Sequence, residues 1–121
     1  METQTEIKQT AYSAPGITPL KPVTSEAILK EVCDYFFLDY DIAKSKIQKI
    51  KYVRARQIAH YFARYYKTEK SLWEIGSIIG EKDHATVLYS IKMVENDMKN
   101  YRKIKEQVEQ IKAIIEKNYI T

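Results

Sequence analysis

Apolar residues recur every three or four positions in four stretches of the chain, a spacing that gathers them on one face of an α-helix. These stretches cover residues 24–38, 52–66, 71–98 and 101–115. A polar break is expected at 96–100, just before the last stretch. A short alternating run at 46–51 has no partner strand, so a loop or the start of a helix is predicted there. The pattern therefore predicts an all-α fold.

Residues 71–91 predict two short helices joined by a tight turn. Ser71 is suited to cap the first helix, and Glu74 follows at the capping-box spacing. Gly80 suits the left-handed residue that ends such a helix. Asp83 can accept the free backbone N–H groups at the start of the second helix. This order of elements is the helix-turn-helix pattern.

The second helix of that motif carries the candidate recognition residues. In a helix-turn-helix, the N-terminal residues of the second helix contact base edges in the major groove. Here these residues are His84, Ala85 and Thr86, with Tyr89 one turn further on. Gly76, in the first helix, allows another backbone to approach closely.

Positive charge is concentrated in residues 44–70. This segment has nine Lys and Arg and a single acid, Glu69, whereas the rest of the chain has eleven basic and fifteen acidic residues. Such a concentration is typical of a surface that binds a polyanion, although a solvated surface without a partner is the alternative. Because the segment precedes the helix-turn-helix pattern, duplex DNA is favoured as the polyanion.

Arg56, His60 and Arg64 lie four apart and are predicted to form an exposed row along a phosphate backbone.

Length and composition favour one small globular domain: 121 residues, 45% hydrophobic and 30% charged. Residues 1–23 contain three prolines and no sustained period, so they are predicted to be a flexible arm, and 24–121 the folded domain. The single cysteine, Cys33, has apolar neighbours and is expected to be buried in the core. A lone cysteine cannot form an internal disulfide, which fits a reducing compartment. No signal peptide or membrane-spanning run is apparent, and a cytoplasmic, nucleoid-associated location is expected.

Catalytic and metal chemistry lack a suitable arrangement of residues. Asp83 and His84 are adjacent, so on a helix they point about 100° apart and would not orient one another as an acid–base pair. Cys33, His60 and His84 are too scattered for a zinc site. A protein that is not an enzyme and has no metal or cofactor is therefore expected.

The run S-L-W-E-I-G-S-I-I-G-E-K-D-H-A-T-V-L resembles S-L-x-E-I-G-x-x-F/I-G-x-x-D-H-T/S-T-V, the signature of the C-terminal DNA-binding domain of the bacterial replication initiator DnaA. The preceding R-A-R-Q-I-A-H-Y-F-A-R is similar to the long helix of that family. The likeness covers about residues 25–115. It implies an all-α fold related to the Trp repressor, and binding to a short duplex site, the DnaA box.

The resemblance also implies which residues contact DNA. Asp83, His84, Ala85 and Thr86 match the family's major-groove residues, and Tyr89 joins them because of its position one turn on. The predicted contacts to the DNA backbone combine family positions with the basic segment: Lys46, Lys49, Lys51, Arg54, Arg56, Gln57, Arg64, Leu72, Trp73 and Lys82.

Three features depart from the family pattern. Ala85 replaces a Thr or Ser hydroxyl, although its methyl can contact a thymine methyl. Gln48 occupies the position of an arginine that enters the minor groove in the family, so Lys49 or Arg54 would have to substitute. The phosphate-loop pattern G-x-x-x-x-G-K-S/T does not occur, so this chain is not expected to be a complete initiator.

Two functions agree with the sequence. The first is a sequence-preferring protein that binds double-stranded DNA at a DnaA-box-like site and regulates replication or transcription. The alternative is a protein-interaction module that retains the fold, binds DNA weakly, and contacts the initiator or another protein. The final helix is expected to pack on its own domain, which favours a monomer over a dimer.

Overall fold

Six helices and one pair of very short strands make up residues 19–121, which the computed structural model describes. In chain order the elements are β1 (Lys21–Pro22), α1 (Ser25–Phe36), α2 (Tyr40–Lys44), α3 (Ile50–Tyr65), α4 (Leu72–Ile78), α5 (His84–Asn100), α6 (Arg102–Asn118) and β2 (Tyr119–Ile120). The predicted all-α fold is confirmed, and the alternating run at 46–51 forms a loop followed by the start of α3. No helix within 19–121 is long and apolar enough to cross a membrane.

Four helices begin at a residue whose side chain caps the first turn. Thr24, Asp39, Ser71 and Asp83 each accept the backbone N–H of the residue three positions on. A cap of this kind contributes about 0.5–2 kcal/mol, because it gives a partner to an N–H that the helix itself cannot satisfy. The caps predicted at Ser71 and Asp83 are confirmed, and Asp39 is the cap of α2.

α3 is the central helix, packed against α1 on one side and α5 on another. Phe62 of α3 is fully buried. Because neighbours cover more than one face of α3, Arg56 and His60 are also inside, with 2% and 1% of their surface exposed. The predicted exposed row is therefore wrong for these two residues, and only Arg64 among the three is exposed.

Cys33 of α1 is fully buried, as predicted. Burial, with smaller contributions from nearby carboxylates, raises the pKa of its thiol to about 11. A thiol that stays protonated at neutral pH is a poor nucleophile, so Cys33 acts as a core residue.

The boundary between α5 and α6 is shorter than predicted. The expected break at 96–100 is wrong, because α5 continues to Asn100 and only Tyr101 is extended, with φ −132°. Val94 is buried and Met98 is half-buried, so the apolar face of α5 still packs on the core through the polar residues. Packing outweighs the weak local preference of Asn and Asp for a turn.

Most of the predicted arm, residues 1–18, lies outside the described residues. The end of the arm is paired: Lys21 and Pro22 run parallel to Tyr119 and Ile120. The Val23 N–H also donates to the Ile120 carbonyl at 3.0 Å. A pair of two-residue strands leaves no periodic signal, so the sequence did not predict this pairing.

Candidate nucleic-acid interface

Close backbone contacts hold the turn between α4 and α5. The Lys82 N–H donates to the Gly76 carbonyl at 2.8 Å, and a Cβ on Gly76 would lie 2.1 Å from the Lys82 carbonyl oxygen. Gly80 has φ +83°, and a Cβ there would lie 2.4 Å from Cδ of Arg56. Only glycine fits at these two positions, so they fix the direction in which α5 leaves the turn.

Asp83 caps the exposed start of α5. Its Oδ1 accepts the Thr86 N–H at 2.8 Å. This hydrogen bond from the backbone is the main reason that the pKa of the Asp83 carboxyl is below its usual value. The carboxylate is therefore held in one place as an ionised acceptor at the tip of the helix.

The first turn of α5 is divided between core and solvent. Val87 is fully buried, whereas His84, Ala85 and Thr86 are exposed. Tyr89, one turn later, is 59% exposed. The residues predicted to contact bases therefore share an open surface, and no described part of the protein covers it.

His60 connects α3 to both parts of the motif. Its Nε2 lies 2.9 Å from the Ile79 carbonyl oxygen at the end of α4, and its Nδ1 lies 3.0 Å from Oγ of Ser90 on α5. In the neutral ring, Nε2–H donates to Ile79 and Nδ1 is an acceptor. The single hydroxyl hydrogen of Ser90 is shared between this Nδ1 and the Thr86 carbonyl oxygen, each 3.0 Å from Oγ. Desolvation lowers the pKa of His60 to about 4, which keeps the ring neutral at physiological pH.

Arg56 connects α3 to the segment before it. Its guanidinium donates to the carbonyls of Ala43 and Ser45, both at 3.1 Å, and to the carbonyl of Ile47. Burial lowers its pKa, but the group remains protonated. As placed here, the side chain organises the basic loop 45–49 from inside and is not presented to a phosphate on the surface.

The basic loop lies beside the helix-turn-helix. Lys46 Nζ is 3.5 Å from Oε1 of Glu81, which belongs to the turn. A depression of about 150 Å³ separates the loop from α3 and α5, and polar residues of all three line it. That lining includes Gln48, Gln57, Lys82, Thr86 and Tyr89. The structure therefore brings the loop, Gln57, Lys82 and the tip of α5 onto one face.

A second group of predicted contacts surrounds the start of α4. Arg64 and Leu72 line a broad, open depression together with Lys67 and Lys70. Trp73, in the first turn of α4, is 65% exposed. These residues offer cations and an aromatic ring beside the helix-turn-helix, at the other end of α3 from the basic loop.

Lys51 and Arg54 belong to neither group. Both line a separate groove between α1, α3, α5 and α6. The residues predicted to contact the DNA backbone are thus divided among the basic loop side, the start of α4 and this groove, and Arg56 is buried.

Sequence reasoning missed two features of the interface. Gln48 was noted only as a lost arginine, but it lines the depression beside α5, and its Nε2 donates to the Lys46 carbonyl at 3.1 Å. Lys70 was counted among the basic residues of 44–70, but no DNA contact was predicted for it. Its position next to the Ser71 cap was the available signal, because a residue just before a helix start is near the free N–H groups of that helix.

The short α4, the glycine turn, the exposed tip of α5 and the adjoining basic loop define a helix-turn-helix protein of the class that binds double-stranded DNA. The chain belongs to the family of the bacterial dnaA protein helix-turn-helix, whose sequence profile matches residues 25–94.

Relatives with the name chromosomal replication initiator protein DnaA support this membership. The protein of Flavobacterium psychrophilum is 44% identical over 91 residues, which cover 75% of this chain and 19% of the relative. That of Bacteroides thetaiotaomicron is 40% identical over 97 residues, covering 80% and 20%. That of Wolbachia pipientis wMel is 37% identical over 94 residues, covering 78% and 20%. The chain thus spans about a fifth of the length of these relatives. The resemblance found in the sequence is confirmed, and membership of this helix-turn-helix family implies DNA binding.

Proposed function

We propose that this protein binds double-stranded DNA with a preference for a DnaA-box-like site, and acts as a non-enzymatic regulator of replication or transcription. One observation carries the proposal: the tip of α5 is exposed on the same face as the basic loop, with Lys46 of the loop paired to Glu81 of the turn. An α-helix fits the major groove, and cations beside it fit the flanking phosphates.

In this proposal, the base contacts come from the start of α5. His84 and Thr86 offer hydrogen-bonding groups, the Ala85 methyl suits a thymine methyl, and the ionised Asp83 suits the amino group of cytosine. Tyr89 extends the same surface by one turn.

The phosphate contacts come from two groups of residues, one beside the basic loop and one near the start of α4. On the loop side, Lys46, Lys49, Lys82 and the amide of Gln57 hold one stretch of backbone. Near the start of α4, Arg64, Lys70, Leu72 and Trp73 hold a second stretch. Arg56 has an indirect role, because it fixes the loop that carries two of the lysines.

A replication setting is proposed because the relatives are named replication initiators. A helix-turn-helix domain with the same DNA preference would compete with an initiator for its sites. The regulatory role follows from that competition and not from any catalytic step of this chain.

Salt dependence tests the proposed contacts. If about five phosphates are neutralised, the logarithm of the affinity for a DnaA-box duplex should fall with the logarithm of salt concentration at a slope of about −4 to −5. Arg64→Ala should weaken binding to every sequence and make the slope shallower by about 1. Fluorescence anisotropy over a range of NaCl concentrations measures both quantities.

Lys117→Ala is the matched control, because this exposed residue lies at the C-terminal end of α6, outside the proposed interface. It removes one positive charge and should leave the slope unchanged. A flat salt response of the wild-type chain would contradict the proposal. So would equal changes of slope in the two variants.

A further inference from the structure

An apolar groove lies away from the tip of α5. It is formed by the end of α1, one side of α3, the end of α5 and the start of α6, and has a volume of about 420 Å³. We call it the α1–α6 groove. Its apolar lining consists of Phe36, Leu38, Ala55, Ile58, Val94 and Ile104. Clefts of this size are large enough to receive several side chains of a ligand.

Positive charge surrounds the apolar lining. Lys51 and Arg54 of α3 and Lys103 of α6 line the groove, against a single acid, Asp97. All three cations are exposed. The groove therefore combines an apolar floor with a basic edge, which suits a ligand with apolar side chains and carboxylates.

Phe37 adds an exposed aromatic ring to this region. It stands between two groove residues, Phe36 and Leu38, and is 95% exposed. Its φ of +58° is left-handed, a conformation that glycine adopts freely and a bulky residue does not. The ring makes almost no contact within the described part of the protein, so neither the strain nor the exposure is offset by packing there.

We propose that the α1–α6 groove binds an acidic amphipathic segment of a partner protein. Its apolar side chains would cover the groove floor and Phe37, and its carboxylates would pair with Lys51, Arg54 and Lys103. DNA phosphates would suit these cations but would leave the apolar floor uncovered. Lys51 and Arg54, predicted from the sequence to contact phosphate, are assigned to this partner instead.

A designed helical peptide tests the proposal with the full chain. The probe carries leucines at i, i+3, i+4 and i+7 and glutamates elsewhere, with a fluorescent label. One control peptide has lysines in place of the glutamates, and another has serines in place of the leucines. Only the acidic, leucine-bearing probe should show saturable binding. Equal binding of the lysine peptide would overturn the proposal, and so would failure of the acidic probe to bind.

Matched variants locate the binding site. Lys51→Gln with Arg54→Gln should weaken peptide binding about tenfold, the size expected for two charge pairs at an interface. Lys105→Gln with Lys117→Gln removes the same charge outside the groove and should leave peptide binding unchanged. Equal losses in the two double variants would mean that only net charge matters, and would overturn the assignment.

Phe37→Gly separates binding from folding. It should raise the melting temperature, because glycine relieves the left-handed strain, and yet weaken peptide binding at least about threefold. A gain in stability with unchanged binding would overturn the role of Phe37. Affinity for a DnaA-box duplex should stay close to the wild-type value in the two double variants, because neither pair lies in the proposed DNA interface. Failure of the groove proposal is thereby distinguishable from failure of DNA binding.

Discussion

At the scale of single residues, Arg56 and His60 hold the interface together from inside. Arg56 gives its N–H groups to three carbonyls in the segment before α3, and His60 bonds to the end of α4 and to α5. Both side chains come from α3, so one central helix positions the basic loop and the helix-turn-helix relative to each other. Buried polar groups with several partners are well suited to this, because leaving any of them unpaired costs free energy.

The buried imidazole of His60 makes folding stability depend on pH. Its pKa is about 4 in the folded chain against 6.5 as the ordinary value, so between these limits the unfolded chain binds the additional proton. The contribution of His60 to stability is full above pH 6.5 and decreases as the pH falls toward 4. The loss is on the order of 3 kcal/mol over that range. Chemical denaturation at a series of pH values measures it.

Two variants isolate this effect from the titration of carboxylates. His60→Gln should give a flatter dependence of stability on pH between 6.5 and 4, whatever its stability at neutral pH. His84→Gln should keep the wild-type dependence, because it leaves the buried imidazole in place. If His60→Gln retains the wild-type dependence, the buried ring is not responsible.

At the scale of elements, the helix-turn-helix follows from signals that lie within a few residues of each other. Ser71, Gly76, Gly80 and Asp83 each have a role that backbone geometry alone imposes, and the structure places each of them in that role. Such local requirements can be predicted from sequence, because caps and left-handed turns depend little on the rest of the fold.

Gly76 provides a test at this scale. Gly76→Ala would put a methyl 2.1 Å from the Lys82 carbonyl oxygen, so the turn or α4 would have to move. We expect a loss of about 1–3 kcal/mol in the free energy of unfolding. DNA affinity should also fall, because α5 would leave the turn at a different angle. Denaturation and duplex titration measure the two effects.

Ser77→Ala is the control for this change, because it alters the next residue of α4, which is exposed. It should change stability by no more than about 0.5 kcal/mol. A Gly76→Ala variant as stable as Ser77→Ala, with unchanged affinity for DNA, would mean that the close approach in the turn is not required.

Other features of the elements depend on distant parts of the chain and were not predictable. The pairing of Lys21–Pro22 with Tyr119–Ile120 joins residues nearly one hundred positions apart. The continuation of α5 to Asn100 depends on packing against the core. The burial of Arg56 and His60 depends on neighbours covering several faces of α3, which helical spacing in α3 alone does not reveal.

At the scale of the whole molecule, the basic segment serves more than one surface. Its charges were treated as a single DNA-binding set, but Lys46 lies beside the turn, Arg64 near the start of α4, and Lys51 and Arg54 along the α1–α6 groove. Sequence position orders these residues along α3 and its loop. Only the packing of the other helices decides which side of α3 remains open at each cation.

Base recognition by the tip of α5 is the central claim, and the affinity of His84→Ala for two duplexes tests it most directly. The preferred duplex is first selected from random sequences with the wild-type chain, and a scrambled duplex of the same composition is the reference. At one salt concentration, His84→Ala should lose about 1–3 kcal/mol of binding free energy on the preferred duplex and almost nothing on the scrambled one. Equal losses on both duplexes, or no loss on either, would contradict the account.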